Sequence, residues 1–264
     1  MLTGAAAAAS AMLPAAAITS QQQQRDWDGL PVISPIQLLH PHNDLAHRYW
    51  SAHLQHAGKN HLVVDATVGN GHDAVVLAGA LMKAGGGRLL CCDIQQLAIE
   101  RSQGRLHDAL PKETSDDDAW AWTSCNGNVW TASSSSAELQ VEWHVGDHCA
   151  LLEGLPEGSA TLVVFNLGYL PGGPDKSICT QAEATVDALR AAEKAVVVGG
   201  TVSATLYAGH EEGIKEEGRV LDHAASLPGG AWSVHHTTWL NQRNKKTGVR
   251  APALVLMQRL NAGR

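Results

Sequence analysis

The chain has 264 residues, 44% hydrophobic and 17% charged, which is enough apolar material for one large domain or two small ones. A formal net charge of -7 excludes the basic body of a non-specific nucleic-acid binder, so any RNA contact has to be local. Five cysteines (Cys91, Cys92, Cys125, Cys149, Cys179) form no CxxC pair, which argues against a disulfide framework and a zinc site; no metal and no membrane span are expected.

Residues 1–30 read as a tail and residues 31–264 as the folded domain. The first 24 residues carry no acidic group and are rich in Ala, Ser and Thr. That composition resembles an organelle transit peptide, and the lack of arginine favours a plastid over a mitochondrion. The alternative is a low-complexity tail on a cytoplasmic protein. From Ile36 to Leu54 an amphipathic helical lead-in, interrupted near Pro41, is expected to cover one edge of a sheet.

HLVVDAT, His61 to Thr67, is a continuous apolar run and predicts a buried parallel strand, followed by a glycine loop and a helix from about His72 to Ala84. RLLCCDI predicts a second strand ending on Asp93, and QQLAIERSQGRLHDAL a second helix. Residues 111–137, with DDD at 116–118 and SSSS at 133–136, show no usable periodicity and read as an inserted, poorly ordered surface loop. ELQVEWHVGDH then predicts a third strand, ATLVVFN a fourth, CTQAEATVDALRAAEKA a helix and VVVGGTVSATLYAGH a fifth strand. IKEEGRVLDHAASL predicts a last helix, and SVHHTTWLN with ALVLMQRL a closing antiparallel pair. In that strand His235 and His236 would point to opposite faces. Alternating strands and helices predict an α/β, Rossmann-like fold: a mostly parallel seven-stranded sheet, helices on both faces, and a C-terminal antiparallel hairpin.

The chemistry gathers at strand ends. In DATVGNGHDA, Gly69 and Gly71 let the backbone approach a ligand where a strand hands over to a helix. Gly69, Gly71 and Ala74 also satisfy the GxGxxA form of a nicotinamide site, with Asp93 about 20 residues further on. Two features favour S-adenosylmethionine instead. Asp65 before the glycines suits an amino-acid moiety better than a pyrophosphate, and GDH (Gly146 to His148) places polar groups after the third strand, where an adenine amino group can be met. FNLGYLPGG, Phe165 to Gly173, is either a plain turn or a second half-site, with Asn166 presenting a fixed amide oxygen at the carboxyl edge of the sheet.

DATVGNGHD, CDIQQLAI, FNLGYLPGG followed by DKSICT, LYAGHEEG and WLNQRN together resemble the putative rRNA methylase family, from about His61 to the end of the chain. That resemblance implies a class I methyltransferase fold and methyl transfer from S-adenosylmethionine. The characterised bacterial members act on the 5-aminomethyl group of 2-thiouridine at the tRNA wobble position. On this reading Asp65, Thr67, Gly69, Asn70, Gly71, His72, Asp93, Ile94, Gln95, Asp147, His148, Asn166, Leu167 and Gly168 hold the cofactor. Asn166 and the Leu167 carbonyl accept the hydrogens of the amine, Tyr169 stacks on the base, and Asp175, Tyr207 and His210 are candidate proton acceptors. Lys176, Arg243, Lys245, Lys246 and Arg250 are candidate phosphate contacts. The expected partner is tRNA, with rRNA or a small-molecule amine as the alternative acceptor, a non-catalytic cofactor or RNA scaffold as the non-enzyme alternative, and a homodimer compatible with either. Two departures from the family pattern stand out: Pro174 intrudes after the Gly pair, and the 111–137 insertion has no counterpart in compact members.

Overall fold

The computed structural model describes residues 41–56, 60–110, 120–125, 129–134, 138–175, 178–243 and 248–261. The expected leader, Lys176, Lys245, Lys246 and the DDD stretch lie outside these residues. The elements run α1 (Pro41–His56), β1 (His61–Asp65), α2 (His72–Lys83), β2 (Gly87–Asp93), α3 (Gln96–Ala109), β3 (Ala121–Cys125), β4 (Val129–Ser134), β5 (Leu139–Val145), α4 (His148–Glu153), β6 (Ala160–Asn166), α5 (Ala182–Ala195), β7 (Val196–Leu206), α6 (Glu211–Ser226), β8 (Trp232–Thr237) and β9 (Ala253–Arg259).

Nine strands form one sheet in the order β3-β4-β5-β2-β1-β6-β7-β9-β8. The five central strands β5, β2, β1, β6 and β7 are mutually parallel. They are apolar at consecutive positions because both faces are covered. Val63, Leu89 and Val164 face α1, α2 and α3. Their neighbours Val64, Leu90 and Val163 face α4, α5 and α6.

Crossovers run outward from β1 to β2 and β5, then return to β6 and continue to β7. The topological switch point therefore falls between β1 and β6, where an open α/β sheet binds its ligands.

The seven expected strands are all present, and the other two correct the reading of residues 111–137. β3 and β4 form an antiparallel hairpin added to β5. Ser-rich composition lowers the local strand signal, but cross-strand packing supplies what propensity lacks. Trp130 lies opposite Trp143, and Trp122 stacks on Trp143 with ring centroids 5.6 Å apart.

The lead-in also differs from expectation. α1 starts at Pro41, a residue suited to a first helical turn, and lies across a sheet face rather than along an edge. Buried Trp50 donates to Ser203 Oγ of β7 at 3.0 Å, and Tyr49 Oη meets Thr201 Oγ1 at 2.9 Å.

Trp50→Ala removes both the largest buried α1 side chain and its hydrogen bond. It is expected to cost roughly 3–5 kcal/mol in urea unfolding, and Ser203→Ala about 1 kcal/mol.

Candidate active site

β1 ends in Asp65, which is fully buried. Its Oδ1 accepts the Thr67 amide at 3.3 Å, while Oδ2 is buried with no donor reaching it. Burial, reinforced by the charge of Asp73, pushes this carboxyl well above the usual range. The loop that follows is shaped by Gly71, whose φ is 76° and where a Cβ would lie 2.6 Å from Ser102 Cα. No side chain fits there, so α3 packs directly on the loop.

Asp93 closes β2 and ties two turns together. Oδ2 accepts the Gly69 amide at 3.0 Å and Oδ1 the Gln95 amide at 2.9 Å. Burial raises its pKa and the two amides pull it back. Each oxygen keeps a further lone pair for a ligand hydroxyl. Ile94 beside it is 67% exposed and forms an apolar ledge at the strand end.

The GDH residues do more local work than their motif implies. Asp147 caps α4 by accepting the Cys149 amide at 2.9 Å. His148 turns inward, edge-on to Phe165 and bonded to the Ala66 carbonyl, and burial lowers its pKa. Exposed His72 opens α2; its pKa is lowered by partial burial and then by Arg105.

On the other side of the switch point, Asn166 donates its backbone amide to Thr67 Oγ1 at 2.6 Å, and Leu167 donates to the Thr205 carbonyl at 3.0 Å. The Asn166 side-chain amide donates to Asp73 Oδ2, and Asp73 Oδ1 meets His47 Nε2 at 2.5 Å. The following loop is pinched at its neck: Gly168 donates to Thr180 Oγ1 at 2.8 Å and Thr180 returns its amide to Gly168 O at 3.0 Å. Thr180 and Thr185 both donate to buried Glu216 of α6, at 2.8 and 2.5 Å. Asn70 donates to the Pro171 carbonyl at 3.0 Å, and Arg101 reaches both Asn70 Oδ1 and Gly172 O at 3.2 Å, so the two half-site loops touch. Arg105 completes this clamp on the Asn70 carbonyl at 2.7 Å.

Tyr169 is 41% exposed, with its ring 6.0 Å from that of His210. His210 Nδ1 accepts the Gly213 amide at 3.1 Å as the N-cap of α6, which leaves the neutral ring no lone pair for a proton. Burial, then Asp73, pushes the Tyr207 phenol up to about 12, so it remains a phenol at neutral pH. Asp175 is exposed on the loop. Of the basic residues, Arg250 pairs with buried Glu217, and Arg243 donates to Gly248 O at 3.3 Å. No cluster of three or more metal-ligating side chains occurs among the described residues.

Sequence reasoning missed His47, Asp73, Arg101, Arg105, Thr180 and Glu216. Asp73 was visible as the last residue of DATVGNGHD, whereas His47 meets it only because α1 lies beside α2.

A doubly wound sheet with a buried acid and glycine loop after β1, a second acid closing β2 and an Asn-Leu-Gly-Tyr turn after β6 defines a class I S-adenosylmethionine-dependent methyltransferase. The acid at Asp65 beside the glycine loop, with Oδ2 left without a donor, suits an amino-acid moiety better than the pyrophosphate of a nicotinamide cofactor. Residues 89–251 match the family model for putative rRNA methylases, more than half of the chain. The tRNA (mnm(5)s(2)U34)-methyltransferase of Arabidopsis thaliana, described as chloroplastic, is 32% identical over 218 residues, covering 81% of this chain and 68% of that one. Among solved structures, a putative rRNA methylase of Clostridium thermocellum superposes with a TM-score of 0.62 at 28% identity, covering 83% of this chain and 97% of that one. A Streptococcus mutans protein described as a putative methyltransferase, solved in complex with SAH, gives 0.60 at 25%, covering 83% and 98%. The chain belongs to the putative rRNA methylase family, and its methyl donor is S-adenosylmethionine.

Asp65→Asn keeps an acceptor for Thr67 and removes the buried charge. Because the folded pKa of Asp65 lies above its unfolded value, its share of stability is complete below the unfolded pKa and is lost as pH rises through the folded one. The variant is expected to melt above the wild type in mildly alkaline buffer, to converge with it in acid, and to bind S-adenosylhomocysteine more weakly. Identical melting at every pH would contradict the buried charge.

Proposed function

We propose that this enzyme methylates the 5-aminomethyl group of 2-thiouridine at the tRNA wobble position, in a plastid. The Arabidopsis relative, whose name gives that position and compartment, supports the reading, as does the leader-like composition of the first 24 residues. The observation that carries it is Asn166: an amide, not a base, at the β6 end across the switch point from the glycine loop.

The bound donor supplies a methyl on a sulfonium sulfur, which leaves as a neutral thioether with the electron pair of the broken S–C bond. Asp65 would hold the amino-acid end, Asp93 the ribose hydroxyls and Ile94 one face of the base. Asn166 Oδ1 and the Leu167 carbonyl would accept the amine hydrogens and hold the nitrogen about 3 Å from its target with the lone pair aligned. Tyr169 would stack on the base. Arg243 and the unpaired capacity of Arg250 would meet phosphate, together with Lys176, Lys245 and Lys246.

Tyr207 and His210 are poorly suited to take the proton of the ammonium form, which therefore leaves to solvent at the loop, where Asp175 stands. The rate is thus set by the fraction of neutral amine. Initial rates are expected to climb with pH through the neutral range and level off only at the pKa of the substrate amine; a plateau controlled by an enzyme histidine would sink this assignment.

The defining experiment incubates the protein and S-adenosylmethionine with tRNA carrying unmethylated 5-aminomethyl-2-thiouridine, with rRNA and small amines in parallel, and weighs the digested nucleosides. One added methyl on the wobble nucleoside is expected; transfer only to rRNA or to the small amine would replace the proposed acceptor. Asn166→Ala is expected to bind S-adenosylhomocysteine normally and to transfer roughly 100-fold more slowly. Full activity in that variant would refute the amine-holding role.

A further inference from the structure

An asparagine side chain offers an oxygen at one end and an NH2 group at the other, and which end faces a substrate decides what can bind there. In this protein the choice is made by a neighbour. Asn166 Nδ2 donates to Asp73 Oδ2. An ionised carboxylate can only accept, so the NH2 end must face Asp73 and the oxygen must face away. The backbone is fixed as well, because the Asn166 amide donates to Thr67 Oγ1 at 2.6 Å.

Asp73 is itself held on its other oxygen. His47 Nε2 on α1 lies 2.5 Å from Asp73 Oδ1, and the His47 ring packs at 5.2 Å on that of Trp50, the buried anchor of α1. The pair is largely shielded from water, with side-chain exposures of 24% for His47 and 12% for Asp73. The line His47–Asp73–Asn166 thus joins α1, α2 and the end of β6. Asp73 sits at the start of α2 beside the glycine loop, and Asn166 is the last residue of β6.

We propose that Asp73, steadied by His47, is a positioning residue that sets the polarity of the acceptor site. It turns the Asn166 oxygen outward, so that the site takes a substrate bearing N–H donors, such as a primary amine, in preference to one presenting a carbonyl or ring-nitrogen acceptor. This rests on the reading of Asn166 as the group that holds the amine. Asp73 would act on the acceptor through its bond to the Asn166 side-chain amide.

The contact and its consequence are tested separately. In a 15N-labelled sample the Asn166 side-chain NH2 pair, assigned by its loss in Asn166→Ala, is expected to move in Asp73→Asn and in His47→Leu, and to stay near its wild-type position in His47→Gln, which keeps a donor toward Asp73. In kinetics with aminomethyl-thiouridine tRNA, Asp73→Asn lets the two amides pair either way round. It is expected to lower kcat by roughly tenfold to a hundredfold, while S-adenosylhomocysteine affinity stays within about twofold and the melting temperature is kept. The swap of Asp73→Asn with Asn166→Asp restores one defined orientation, with a carboxylate oxygen outward. It is expected to recover much of the loss, which a merely structural role would not do.

Wild-type kcat in Asp73→Asn, an unmoved NH2 signal, or a swap slower than either single change would overturn the proposal. A wild-type protein that transfers nothing to the amine would instead remove the underlying reading, and this proposal with it.

Discussion

The loops leaving β1 and β6 turn to opposite faces of the sheet, and the site exists only because the gap between them is bridged. Adjacent parallel strands with crossovers on opposite faces leave a crevice at their carboxyl ends. A crevice is not a site until its walls are in register. Here the β1–β6 ladder sets the register, the Ala66 amide extends it to the Val164 carbonyl at 2.9 Å, and a short bond from the Asn166 amide to the Thr67 hydroxyl ties the two strand ends. The clamp of Asn70, Arg101 and Arg105 repeats the connection farther out. With both bridges in place, the glycine loop and the Asn-Leu-Gly-Tyr turn form a single wall rather than two mobile ends.

That wall is acidic at its base. Asp65, Asp73 and Asp93 come from three different segments, and burial raises the pKa of the first and the last. Collecting carboxylates in a low-dielectric crevice costs stability unless a cation joins them. Within the protein His47 Nε2 lies 2.5 Å from Asp73 Oδ1. The remaining demand suits a methyl donor that carries its own positive charge at sulfur and at its amino group. A net acidic protein can carry such a field, because local charge at the crevice matters more there than the sum over the surface.

The central sheet was legible because parallel strands covered on both faces write continuous apolar runs, as in LVVD and LLCC, and β1 and β2 end on Asp65 and Asp93. The β3–β4 hairpin was not legible, because its stability comes from Trp122 and Trp130 meeting Trp143 and not from local preference. Polar motif residues divided in the same way. Asp65, Asp93 and Asn166 are the last residues of β1, β2 and β6. Asp147 and His210 also follow strands, and each also caps a helix. Sequence cannot separate a capping side chain from a reacting one, since both favour short polar residues at the same strand-to-helix junction. Arg250 shows the long-range version: in sequence it belongs to a basic run, and in space it belongs to Glu217 on α6.

Pro174, the departure from the family pattern in the acceptor loop, can be placed on the same physical terms. The loop is fastened at three points. Its neck is closed by the reciprocal Gly168 and Thr180 bonds, which Glu216 anchors to α6. Its first limb is tied at the Pro171 and Gly172 carbonyls to Asn70 and Arg101. Its two limbs meet where Tyr169 pairs with Cys179. Pro174 is exposed and lies beyond the last of the first-limb ties, so an extra residue there lengthens the tip without passing strain to the neck. Asn166 lies on the strand side of that neck, held independently by Thr67 and Asp73. The insertion therefore changes the outer rim of the loop, while Asn166 keeps its ties to Thr67 and Asp73.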